Sequence, residues 1–145
     1  MVALLPKFNY GKDAKMEKDA KIYVAGHSGL VGSAIVRRLR EQGYENIVTR
    51  THTQLDLTNQ IEVNEFFENE HIEYVFMCAA KVGGIQANHE ALDDFLYVNT
   101  MIEFNTIMAA FRNGVKKFCF MGSGCIYPRD CPPANQGGIC FDFFA

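Results

Sequence analysis

Seven consecutive residues, Gly26-His27-Ser28-Gly29-Leu30-Val31-Gly32, set three glycines three apart between an apolar run and an amphipathic one. That spacing suits a phosphate. A side chain at Gly26 or Gly29 would keep backbone N–H groups off an anion, and one at Gly32 would hold the next helix away from the preceding strand. The N-terminus of that helix adds partial positive charge. Glycines also mark ordinary turns. Here, though, a strand precedes the loop and a helix follows it, as a dinucleotide-binding loop requires. About twenty residues farther on, an acid accepts from the ribose 2′-hydroxyl of NAD, whereas an arginine suits the 2′-phosphate of NADP. Arg50 stands there, followed by His52, with no acid. This favours NADP, a solvated surface arginine being the other reading. Asp56-Leu57 follows, its carboxylate set either to accept from the adenine amino group or to finish a helix-start turn.

These residues need elements to position them. Ile22 to Ala25 predicts a buried strand ending at Gly26. Ser33 to Gln42 predicts a helix with Leu30, Val31, Ala34, Ile35 and Leu39 on one face and Arg37, Arg38, Arg40 and Glu41 toward water. Gly43 is its expected C-terminal stop. Asn46 to Arg50 is a second strand. Thr58 is the expected N-cap of a helix over Gln60 to Asn69 carrying Ile61, Val63, Phe66 and Phe67. Tyr74 to Ala80 is a third strand, and Ala91 to Arg112 a long helix closed by Asn113-Gly114. Val115 to Met121 is a last strand, leading into Gly122-Ser123-Gly124-Cys125. This alternation calls for parallel strands with right-handed crossovers, an α/β, Rossmann-like, doubly wound sheet with helices on both faces.

At 145 residues there is room for one domain. Fourteen Lys plus Arg against 17 Asp plus Glu leaves a net charge of −3. No basic surplus remains to neutralise a nucleic-acid backbone, so nucleic acid is not an expected partner. The five cysteines (Cys78, Cys119, Cys125, Cys131 and Cys140) have no paired C-x-x-C spacing, so neither zinc nor a disulfide framework is expected. Cys78 and Cys119 fall within apolar strands and are expected to pack in the core. The apolar run Val2 to Leu5 is too short for a signal-peptide core, and no stretch approaches a membrane span. A cytoplasmic protein with reduced thiols is the expectation. Residues 1–20 lack a period and are expected to be a flexible leader, and residues 129–145 an irregular tail.

Four runs together narrow the field: VAGHSGLVGSAIVRRL from Val24, RTHTQLDLT from Arg50, AAKVGGIQAN from Ala79 and GSGCIYP from Gly122. Over residues 21–128 the chain resembles the extended short-chain dehydrogenases, and among them the GDP-L-fucose synthases. The resemblance implies NADPH as cofactor and a GDP-sugar substrate, GDP-4-keto-6-deoxy-D-mannose, epimerised at C3 and C5 and then reduced at C4. By motif, Ser123 would hydrogen-bond the C4 oxygen and Cys125 would be one of two epimerisation acid/base groups. Carbons beside a ketone can lose a proton to a positioned base, and a thiol can serve if its pKa nears the working pH. Taken alone, Ser123 reads equally as a strand end and Cys125 as a buried thiol. Ala79, Ala80 and Lys81 would lie where the family approaches nicotinamide and substrate, Lys81 reading otherwise as a solvated loop charge, and Asn99 would brace the active-site backbone, a helix-surface amide being an equal reading.

The sequence also departs from the pattern. Position 28 is Ser where most relatives carry Arg, leaving Arg50 to carry the 2′-phosphate, and position 124 is Gly where Ser is usual. Reductases of this type use a Tyr with a Lys four residues later, and none of the six tyrosines has one. The family's second acid/base, a downstream histidine, is not found either. The chain is therefore expected to be the cofactor-binding first half of such an enzyme, without its substrate domain and inactive as a reductase by itself. The family's homodimer uses the long helix and the next one, which leaves oligomeric state open.

Overall fold

A computed structural model describes residues 16–122. Ser123 and Cys125, like most of the expected leader and all of the expected tail, lie outside the described residues.

Four parallel strands form the sheet: β1 (Ile22–Ala25), β2 (Ile47–Val48), β3 (Tyr74–Met77) and β4 (Lys117–Phe120). Their order is β2-β1-β3-β4, with Ile22 in register with both Ile47 and Tyr74, and Tyr74 with Lys117. Chain order therefore reverses at β1, and the loops leaving β1 and β3 diverge there. A crevice at such a switch point, outside the carboxyl ends of the strands, is where open α/β sheets take ligands.

The helices are α1 (Leu30–Glu41), α2 (Gln60–Glu70), α3 (Ile85–Glu90) and α4 (Leu92–Arg112). Strand side chains alternate between faces, so two cores result. On one face Val36 and Leu39 of α1 pack on Ile22 and Val24 of β1 and Tyr74 of β3. On the other, Val63, Phe66 and Phe67 of α2 join Tyr23, Val75 and Met77, with Ile102, Ala109 and Ala110 of α4. The rings of Tyr23, Phe66 and Phe67 are mutually tilted or edge-on at centroid distances of 4.7–6.1 Å. The fold class is as expected, with helices on both faces.

Local differences have physical causes. Leu30 and Val31 are exposed, and Val36 takes the core position instead. The residues starting α1 project at the loop rather than over the sheet. Asn59, not Thr58, caps α2, its carboxamide oxygen accepting from Ile61 N at 3.1 Å and Glu62 N at 3.5 Å. Ile61, one turn too early to meet the sheet, is exposed. The expected long helix is α4, and a short helix that the sequence reading did not include, α3, precedes it, set off by Ala91, whose φ of −137° is not helical. β2 shrinks to two residues because it pairs with β1 alone. Both α1 and α4 end as expected on left-handed glycines. Gly43 N donates to Arg40 O and Tyr44 N to Leu39 O, and Gly114 N donates to Phe111 O and Val115 N to Ala110 O.

Residues 16–20 correct the expected leader. Ala20 is buried and Met16 packs on the α1-side core. Glu17 accepts from Tyr74 Oη at 2.7 Å and pairs with Lys116 at 3.4 Å, while Lys18 lies over the Tyr44 ring.

Candidate functional site

The glycine loop runs from the end of β1 into α1, and its three glycines are needed for different reasons. Gly26 has φ +72°, and a Cβ there would lie 2.7 Å from Ala79 N and 2.8 Å from the Cys78 carbonyl. It is the close approach of β3, not an anion, that excludes a side chain at this position. A Cβ on Gly32 would lie 2.8 Å from the Gly26 carbonyl carbon and collide with its oxygen, so glycine lets α1 seat against the loop. A Cβ on Gly29 would meet only Gly26 O, at 3.4 Å, an ordinary contact. Protein packing leaves position 29 free, so its glycine clears the approach to α1 from outside.

Gly29 is the N-cap of α1, extended at φ −75° and ψ 174°, with no side-chain cap bond and no acid in the first turn. Gly29 N donates to Gly26 O at 3.0 Å, closing the loop on itself. Helix α2 has Asn59 to satisfy its first N–H groups; α1 has no such oxygen. Its first turn presents unfilled donors at the positive end of the helix dipole, which is what an anion takes. Ser28 and Leu30 are exposed beside it, and the half-buried His27 carries a buried Nδ1 with no hydrogen-bond partner among the described residues.

Arg50 is drawn away from this mouth. One guanidinium nitrogen pairs with Glu70 at the end of α2, another donates to Thr49 O at 2.9 Å, and the group lies 5.3 Å from the Phe66 ring centroid. Asp56 completes a turn: its Oδ1 accepts from Thr58 Oγ1 at 2.8 Å and Thr58 N at 2.9 Å. Those two bonds hold its carboxyl below the usual carboxylate range. Leu57 is buried in the α2-side core, so its side chain is not at the cofactor's disposal. Its carbonyl accepts from Asn105 Nδ2 at 3.1 Å.

The strand-end loop after β3 borders the same crevice. Asn99 clamps Lys81 from both sides, accepting from Lys81 N at 2.7 Å and donating to Lys81 O at 3.0 Å. These two bonds fix the Lys81 backbone. The Lys81 ammonium is paired with Asp94 on α4 and lies 5.2 Å from the Phe95 ring centroid. A Cβ at Gly83 would fall 2.8 Å from Phe95 Cζ, the tip of a partly exposed ring that would have to shift to admit it. Ala79 is half-buried against the core and Ala80 is exposed at the strand end. Cys78 and Cys119 are only half-buried, a correction to their expected core packing. Burial first, and the neighbouring Cys119 second, push the Cys78 thiol up.

The glycine loop, the β3 exit and Asn99 thus meet at the sheet's switch point, while Arg50, Asp56 and the Leu57 side chain are engaged by protein neighbours. The pattern had not shown Asn105, whose buried amide fixes the Leu57–Thr58 backbone, or Glu70, which holds Arg50. The signal for Asn105 is a polar residue three positions after Ile102 on the core face of α4. Nor had it shown the cleft of about 440 Å3 between α1 and β2, lined by His27, Ser33, Val36, Arg37, Arg40, Glu41 and Thr49. No His, Cys, Asp and Glu cluster among the described residues could hold a metal, and no helix among them is long and apolar enough to cross a membrane.

Comparison with known proteins agrees with this geometry. The chain is 56% identical over 117 residues to a putative GDP-L-fucose synthase 2 of Arabidopsis thaliana, covering 81% of this chain and 36% of that protein. It is 49% identical over 109 residues to the GDP-L-fucose synthase of Escherichia coli K12, covering 75% and 34%. The chain thus spans about a third of the length of the curated relatives it matches. Among solved structures, a GDP-mannoheptose C4 reductase from Campylobacter jejuni with NADP bound superposes with a TM-score of 0.77 at 44% identity, over 82% of this chain and 38% of that one. A family model matches residues 22–138, from the first strand through the glycine loop and beyond the last. The chain belongs to the NAD dependent epimerase/dehydratase family.

Proposed function

We propose that this chain is the cofactor-binding part of a GDP-L-fucose synthase, taking NADP(H) at the switch point of its sheet. The observation that carries the reading is the start of α1, where an uncapped helix N-terminus without first-turn acids stands behind a glycine that packing does not require. The residues present fit a dinucleotide: the loop from Gly26 to Gly32 offers backbone N–H groups to the pyrophosphate, and the Ala79–Lys81 backbone borders the nicotinamide end. When bound, NADPH supplies the hydride that reduces a C4 ketone.

The other steps fall to the chain's own groups. Asn99 holds the Lys81 backbone in one conformation, so the floor of the site needs no reorganisation when substrate arrives. Ser123 donates a hydrogen bond to the C4 oxygen, favouring the charge that develops there. Cys125 moves a proton at a carbon beside the ketone, where the enolate is stabilised. The substrate in this reading is GDP-4-keto-6-deoxy-D-mannose, in keeping with the names of the relatives. Half-buried, unbridged Cys78 and Cys119 suit a reducing, cytoplasmic setting. No Tyr in these 145 residues has a Lys four positions on, so the proton donor for reduction is not supplied by such a pair here.

Titration of the purified chain with NADPH and with NADH, followed by nicotinamide fluorescence, tests the proposal. Saturable binding with NADPH preferred is expected. Binding of neither overturns it. The pure chain is expected to form no GDP-L-fucose, and product formation would overturn that part separately.

A further inference from the structure

We infer that Arg37 of α1, assisted by His27, is the residue that reads the adenosine 2′-phosphate in this chain, in place of Arg50. The inference rests on the dinucleotide reading above. In this fold the ribose 2′ position lies at the end of the second strand, beside the glycine loop. That is the cleft between α1 and β2, whose lining includes His27, Thr49 and Arg37.

Availability and position separate the cations around it. Arg50 is held by Glu70, by the Thr49 carbonyl and by the Phe66 ring. Arg38 is paired with Glu41 at 3.3 Å, which also occupies the one acid lining the cleft. Arg37 and Arg40 both line the cleft, exposed and with no ion-pair partner among the described residues, and Arg37 stands nearly a turn nearer the glycine loop. Side chains on a helix tilt toward its N-terminus, so an arginine in the second turn of α1 reaches back toward the loop. A planar guanidinium there can grip a phosphate with two parallel N–H donors. His27 adds a buried Nδ1 that has no partner among the described residues. A turn of the half-buried ring would bring that nitrogen to a phosphate oxygen as a donor. Ser28, where the relatives' pattern has an arginine, leaves this corner without a cation from the loop.

The test compares the full chain with its Arg37→Ala, Arg37→Lys and Arg50→Ala forms, titrated with NADPH and NADH. Arg37→Ala is expected to weaken NADPH about tenfold or more, the usual scale for a charge-assisted bond to phosphate, and to leave NADH unchanged. Arg37→Lys should recover part of the loss, and Arg50→Ala should change the NADPH-to-NADH ratio much less. Because Arg37 is exposed, thermal unfolding without ligand should match the unsubstituted chain. If Arg37→Ala keeps the original ratio while Arg50→Ala abolishes it, Arg50 leaves Glu70 for the phosphate. The inference then fails with the dinucleotide reading intact. If the unsubstituted chain binds neither nucleotide, the dinucleotide reading fails and the inference falls with it.

Discussion

β1 and β4 are both four-residue strands of one parallel sheet, yet they live in different surroundings. β1 is paired on both sides and covered on both faces, and all four of its residues are buried. Among the described residues β4 has one neighbour, β3, and its residues range from half-buried to exposed. The contrast extends to the helices. Next to β1, the large side chains of α2 (Phe66 and Phe67) point inward. α4 buries Asn105, Thr106, Ala109 and Ala110 and turns Leu96, Phe104, Ile107 and Phe111 outward. Apolar composition does not decide burial here, since β4 reads KFCF and α4 is the more apolar helix. Burial follows from which elements lie opposite. The candidate cofactor site grows from the well-buried side, where the strand that launches the glycine loop has nowhere to move.

The largest expected effect tests that contrast directly. Phe67 is 0% exposed and Phe120 45%. Phe67→Ala should cost about 3–5 kcal/mol of unfolding free energy, while Phe120→Ala should cost under about 1 kcal/mol. Chemical denaturation of both variants measures the gap, and equal losses would break the comparison. Next comes the loop. Gly32→Ala forces a Cβ into the Gly26 carbonyl and should cost about 1–3 kcal/mol, whereas Gly29→Ala should leave stability within about 0.5 kcal/mol. Gly29→Ala should instead weaken dinucleotide binding, so stability and affinity losses should separate between the two glycines. Asn99→Ala removes both bonds to the Lys81 backbone and should cost about 1–2 kcal/mol. Hydrogen exchange at the Lys81 amide should accelerate in that variant, and unchanged protection would mean that the β3 exit is held by something else.

The smallest effect belongs to the β4 side. Lys116, just before β4, pairs with Glu73, just before β3, at 2.6 Å. The Lys116 hydrogen bond, and then the Lys21 backbone N–H, hold the Glu73 carboxyl below its ordinary 4.5. With a folded-state pKa below the unfolded one, the stabilisation is present above about 4.5 and fades as pH falls through the folded value. Both side chains are more than a third exposed, so its size is a few tenths of a kcal/mol, at about the low end for surface pairs. Lys116→Gln should return Glu73 toward 4.5 in a carboxylate NMR titration. No movement would leave the two strand starts uncoupled.

Much of this molecule follows from local sequence. Short apolar runs and helical periodicity fix the order of strands and helices. Gly43 and Gly114 stop α1 and α4 where they stand, because left-handed backbone suits glycine. The glycine triplet marks the loop, since only a strand-loop-helix junction of that tightness needs it. Burial on α4 was not legible, because periodicity tells which residues share a face but not which face meets the sheet. Helix α3 was hidden for a different reason: six residues are too few to show a helical period. Arg50 shows the limit most clearly. Its position in the sequence is that of a phosphate reader, but whether its guanidinium is available depends on Glu70, an ion pair made only when the end of α2 is folded beside β2. Chain pattern determined where the glycine loop lies, and tertiary contacts decided which charges around it are held by protein neighbours.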